Sequence, residues 1–233
     1  MQIRSAACLA VVVSAATPVA AAPTEFDFFS FSIAAGAGGV VGQLPLGPDI
    51  DFESVEVAGS GALLVDESDA IRTASAQIDY DVDISFPSGD AIALSAVFGS
   101  TIDLAFGPDD VSGSLEGFTS LDSIVIEFTL AEATFFEVTG LGGLGGDLIG
   151  LNGTADIGAV APGEVFTLVP GIYAFERFDT VDIAEVGAEP GLGEGVFTDS
   201  VAFGLTLTTV PAPSSAALLA LAGTAAMRRR RNR

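Results

Sequence analysis

Apolar and polar residues alternate along much of this chain. In Ala76–Phe86 the apolar residues Ile78, Tyr80, Val82, Ile84 and Phe86 take the even positions, and Gln77, Asp79, Asp81, Asp83 and Ser85 take the odd ones. Successive side chains of a strand point to opposite faces, so this period predicts a strand with one buried face and one wet face. The same pattern places Ile124, Ile126, Phe128 and Leu130 on one face, and Val201, Phe203, Leu205 and Leu207 on another. Shorter candidates fall at 26–33, 50–57, 91–98, 101–106, 133–138, 165–169 and 172–178. Pro87-Ser-Gly, Gly107-Pro-Asp-Asp, Pro162-Gly, Pro170-Gly and Pro190-Gly punctuate them, each pairing a preset φ with a flexible neighbour. Helix candidates are confined to stretches near 62–72 and 112–123. About ten or eleven short strands with turns between them predict an all-β fold. The expected architecture is a single antiparallel β-sandwich, jelly-roll-like, over residues 22–209. A β-solenoid would need a fixed repeat period, and the chain has none.

The two ends break the pattern. Met1-Gln-Ile-Arg4, an apolar run over Ala6–Val13 and small residues up to Ala22 follow the order of a secretory signal peptide. Residues 1–21 are read as that signal, since cleavage after Ala21 keeps Pro23 from the first mature position. At the other end, Val210-Pro211-Ala212-Pro213 stops the last strand, because proline has no backbone donor. Residues 214–227 are uncharged and helix-prone, with Ser214 and Ser215 placed to cap. Arg228, Arg229, Arg230, Arg231 and Arg233 follow. Such a helix rises only ~20 Å against a ~30 Å hydrocarbon layer, a gap that snorkelling arginines and a thinned bilayer narrow. The positive-inside rule holds the Arg cluster in the cytoplasm and sends the body outside.

The proline motif at Val210–Pro213, the short apolar helix and the terminal Arg cluster together resemble the PEP-CTERM sorting signal, with Ala212 standing where that family carries Glu. The resemblance covers 210–233 only. It implies a tail recognised by an exosortase, a membrane transpeptidase-like enzyme, after signal peptidase has acted at the other end. It also implies transient membrane insertion and delivery to the surface or extracellular matrix of a Gram-negative-type bacterium.

Charge narrows what the body can meet. All 31 acidic residues lie between Glu25 and Asp199, and only Arg72 and Arg177 oppose them there. That excess repels nucleic acid and anionic lipid and favours cations or salt-rich solvent. The body still carries enough apolar residues, Phe above all, to fold rather than stay disordered. The single Cys of the chain, Cys8, lies in the proposed signal, so the mature body has neither disulfides nor thiol chemistry.

Catalysis is constrained by missing residue types. Without His, Lys or a mature Cys, the Ser-His-Asp triad, the Cys-His pair, the Schiff-base lysine and the usual zinc site are all absent. A carboxylate-pair glycoside hydrolase is the remaining enzymatic alternative, with no feature selecting the pair and no Trp to stack a sugar. Alternating oxygens at Asp109, Asp110, Ser112, Ser114 and Glu116 suit calcium, which takes six to eight such ligands. They support a second alternative, a calcium-dependent carbohydrate- or matrix-binding module; a solvated loop is the plainer account. Asp66, Glu67 and Asp69 form another acidic group, and Asp79, Asp81 and Asp83 a row on one strand face. Gly142–Gly150 matches one copy of a calcium nonapeptide that works only in stacked copies. The leading expectation is a non-enzymatic exported protein that needs no cofactor, calcium aside. Its expected partners are the sorting enzyme, signal peptidase and an extracellular polysaccharide.

Overall fold

A computed structural model describes residues 26–41, 44–69, 72–107, 113–139, 149–153, 158–160, 163–177 and 180–210. No helix occurs among them; the described residues form two antiparallel sheets. The first sheet is seven-stranded and contains β1 (Phe26–Val41), β2 (Leu44–Val55), β6 (Ser114–Leu130), β8 (Ile149–Gly153), β9 (Gly158–Val160), β11 (Gly171–Arg177) and β12 (Val181–Ala188). The six-stranded second sheet contains β3 (Gly59–Ser68), β4 (Arg72–Ser88), β5 (Ala91–Phe106), β7 (Thr134–Thr139), β10 (Val165–Leu168) and β13 (Gly195–Thr209). A two-sheet sandwich fits this arrangement. The proposed signal peptide and the tail from Pro211 onward lie outside the described residues.

The alternation read from the sequence holds over most of β4, where Ala74, Ala76, Ile78 and Val82 are buried and Asp79, Asp81 and Asp83 are exposed. Tyr80 and Ile84 are only half-buried, however, and Phe86, expected on the buried face, is exposed near the strand's end. It also holds in β13 and in the second half of β6. Several strands are longer than expected. β5 runs unbroken through the predicted gap between 98 and 101, because Ser100 faces inward and accepts a hydrogen bond from the Thr119 hydroxyl at 2.6 Å. That bond links β5 of one sheet to β6 of the other and lets two polar side chains sit in an apolar interior.

Both helix candidates are corrected to strands. Residues 62–72 fall mostly in β3, whose Leu63 and Val65 point inward while Leu64 is exposed. Residues 112–123 belong largely to β6. Leu115, Phe118 and Leu121 stand at helical spacing there, but Leu115 and Leu121 face the core and Phe118 covers the opposite face. A bulge then shifts the parity of β6: Ser32 pairs with Ser123 and Ile33 with Leu121, so Asp122 is the extra residue. Inward positions are 115, 117, 119 and 121 before it and 124, 126, 128 and 130 after it. On the other flank of β6, Arg177 faces Ile124 and Val181 faces Leu121, so β11 and β12 run end to end along one strand.

A chain of rings joins the two sheets. Phe31 of β1 lies 5.4 Å from Phe98 of β5 and 6.0 Å from Phe203 of β13, centre to centre. Phe203 meets Phe175 of β11 at 5.5 Å, and Phe175 meets Phe136 of β7 at 6.1 Å. Phe136 stacks on Phe128 of β6, which stacks on Tyr173 of β11. Each such pair adds about 0.5–1.5 kcal/mol beyond the area that it buries. The Tyr173 hydroxyl is satisfied where its strand begins, donating to the Val169 carbonyl at 2.9 Å.

On the outer face, the Phe118 ring lies across Gly36 of β1, its direct cross-strand partner. A Cβ at position 36 would come within 2.2 Å of the ring. Gly36→Val is therefore expected to cost about 1–3 kcal/mol in a denaturant titration. Phe118→Ala in the same chain should recover most of that loss.

The described chain enters and leaves at one end of the sandwich. Phe26 starts β1 opposite Phe128, and the Val210 amide bonds to the Ala133 carbonyl in the connection between β6 and β7. The opposite end carries the β3–β4, β5–β6 and β12–β13 connections, where Arg72 faces Phe106 and Gly195 faces Leu104. At that end Pro190 and Gly191 form a turn closed by paired 2.8 Å bonds between Glu189 and Leu192. Gly191 has φ +77 there, the conformation that follows a turn proline.

Candidate functional site

Of the oxygen-bearing residues expected to suit calcium, Asp109, Asp110 and Ser112 lie outside the described residues. Ser114 and Glu116 open β6, and both are exposed. They pair with Val40 and Gly38 of β1 on the outer side of the first sheet. In the sorting motif only Val210 is described; Pro211, Ala212, Pro213 and the arginines 228–231 and 233 are not.

The second acidic group is divided by the fold. Asp66 and Glu67 are neighbours on β3 and so point to opposite faces. Asp69 is committed to Arg72: Oδ1 accepts the Arg72 amide at 2.9 Å, and Oδ2 accepts Nε at 2.9 Å and also Nη2. With the Asp69 amide bonded to the Arg72 carbonyl at 3.0 Å, this pair closes the β3–β4 turn. Asp79, Asp81 and Asp83 stand in a row on the exposed outer face of β4, and Asp79 accepts a hydrogen bond from Gln77. Among the described residues no group of three or more His, Cys, Asp or Glu side chains is arranged to hold a metal ion.

Three features were not anticipated. The first is that both arginines of the body are buried. Arg72 follows the inward parity of β4, and Arg177 continues the inward row of Tyr173 and Phe175 on β11. Nη1 of Arg72 and both Nε and Nη1 of Arg177 are buried without a hydrogen-bond partner. Only the rarity of arginine in so acidic a chain marked these residues in advance.

The second is a tie between the sheets at their shared edge, where the Tyr80 hydroxyl of β4 donates to Glu53 Oε1 of β2 at 3.0 Å. This hydrogen bond, with burial and the nearby negative charge, raises the Tyr80 pKa above its ordinary value of 10.0. The phenol is thus protonated over a wider pH range in the folded state than in the unfolded one. Its contribution is complete below pH 10 and is lost as pH rises through the raised folded value. Tyr80→Phe should lie below the parent in stability by a constant margin at lower pH, and the margin should shrink above pH 10. Unfolding curves across alkaline pH, with tyrosinate absorbance followed in both proteins, check this.

The third is the free edge of the first sheet. Among the described residues β2 is the last strand on its side and pairs only with β1. Over Asp49–Val55 its residues alternate between acidic Asp49, Asp51 and Glu53 and the outward Ile50, Phe52 and Ser54. Phe52 is 65% exposed and Ile50 46%. The sequence carried this signal as an alternation of acidic with apolar residues in a predicted strand.

Comparison of the chain with family models, with curated proteins and with solved structures finds no match in any of the three.

Proposed function

We propose that the chain is an exported, non-enzymatic surface or extracellular-matrix protein. In this reading residues 1–21 are removed by signal peptidase, 22–209 form a jelly-roll-like sandwich, and 210–233 are a PEP-CTERM-like tail read by an exosortase-type enzyme. The observation that carries it is the sequence of the two ends: an Ala-rich apolar leader before Pro23, and the Val210–Pro213 motif, apolar run and Arg cluster after the body. Phe26 and Val210 emerge at the same end of the sandwich, and the β3–β4, β5–β6 and β12–β13 turns lie at the other. The jelly-roll-like description rests on the repeated passage of the chain between sheets, as from β5 to β6 to β7 to β8. Mature stability without cysteine is supplied by the apolar interior and its ring chain.

Deletion of 211–233 in the native host tests the tail. The reading expects the shortened protein to be exported but lost from the surface fraction, appearing instead in the medium or periplasm. Unchanged surface retention would refute the sorting role. Hydrolysis of a polysaccharide by the purified protein, abolished by a carboxylate substitution, would replace this reading with the glycosidase alternative.

A further inference from the structure

We propose that the free edge of β2 over Asp49–Val55 is a docking strand for an extended cationic segment of another protein. That segment would join the first sheet as an additional strand beside β2. Residues directly opposite across a sheet share a face, so its basic side chains would lie beside the exposed Asp49 and Asp51, in line with the Glu53 that Tyr80 holds, and its apolar side chains beside Ile50 and Phe52.

Natural edge strands are blunted by prolines, bulges or charge. β2 has all three, but unevenly. Pro45, Gly47 and Pro48 fall in its first half, with Gly47 at φ +68 and the β1–β2 register shifting between Ala37 and Gly39. From Asp49 to Val55 the register is uninterrupted and no proline occurs. There the Phe52 amide donates to the carboxylate of its neighbour, with Asp51 Oδ1 accepting at 2.9 Å. That local bond can give way to the carbonyl of an incoming strand. Ile50 and Phe52 pair with Gly36 and Ala34 of β1, both buried, and are themselves exposed on the outer face.

Charge selects the occupant. A second copy of this chain pairing edge to edge would set an acidic row against an acidic row, which is destabilising. Nucleic acid is repelled by the same row. A strand alternating Lys or Arg with aliphatic residues complements both faces, and the acid-rich body steers it inward. This inference stands independently of how the chain is sorted.

The probe is a blocked peptide of about seven residues alternating Lys and Val, long enough to span the open stretch. Its control has the same composition with the lysines consecutive. With the protein isolated from its host, the alternating peptide is expected to bind at low salt and to slow exchange of the Ile50, Phe52 and Ser54 amides. Phe52→Ser, at a solvent-exposed position, should keep the fold and weaken binding about tenfold. Asp51→Asn should weaken binding and reduce its salt dependence. Equal affinity for the control peptide, unchanged affinity in Phe52→Ser, or no binding at low salt would each overturn the proposal.

Discussion

Phe136→Ala is expected to lower the free energy of unfolding by about 3–5 kcal/mol, the largest loss for any single truncation in this core. Phe136 is fully buried on β7 and is in ring contact with Phe128, Phe166 and Phe175. Two of those partners belong to the opposite sheet, so the void would open between sheets that have no disulfide to hold them. Folded domains are typically stable by only about 5–15 kcal/mol, so the variant stands close to unfolding at ordinary temperature. Phe135→Ala is the matched control. Phe135 precedes it on the same strand but points to the outer face, and its loss should stay within about 0.5 kcal/mol. Parallel urea titrations measure both. Equal effects would mean that the facing of β7 is inverted.

Arg177→Met carries the opposite sign. Arg177 is 6% exposed, and its Nε and Nη1 lack partners inside the fold. A buried donor left without a partner costs about 1–3 kcal/mol, so an apolar side chain of similar length that keeps the packing is expected to stabilise the fold by about that much. Arg72→Met is expected to destabilise, because it removes the two guanidinium hydrogen bonds to Asp69 Oδ2 that help to close the β3–β4 turn. A pair of melting curves separates the two roles. A loss of stability in Arg177→Met would show that its guanidinium is fully compensated in the folded protein.

The all-β character of the body could be read from the sequence wherever one strand face is dry and the other wet, as at Asp79, Asp81 and Asp83. It was lost where the strand changes parity or buries a polar group. The Asp122 bulge switches β6 from odd to even inward positions, so a search for one fixed period finds a helix-like spacing instead. Ser100 looks like a break because its partner, Thr119, lies on the other sheet, and no local pattern reveals a pairing across the core. β12 was missed for a related reason: its register shifts between Asp182 and Ala184, which interrupts the alternation. At the candidate site, composition located the acid but not its use. Asp69 is spent on a turn, and Asp66 and Glu67 are parted by the pleat. The β2 edge gains meaning only once the strand is known to be last in its sheet.

The most direct test of the functional account is mass spectrometry of the mature protein from its native host, fraction by fraction. A Glu-specific protease is the suitable digestion, since two arginines leave trypsin little to cut in the body. The account predicts an extracellular form that begins near Ala22 and ends near Pro213. A membrane-bound form that keeps Arg228–Arg231 and Arg233 as its only mature state would contradict it, and the tail would then be an anchor rather than a removed sorting signal.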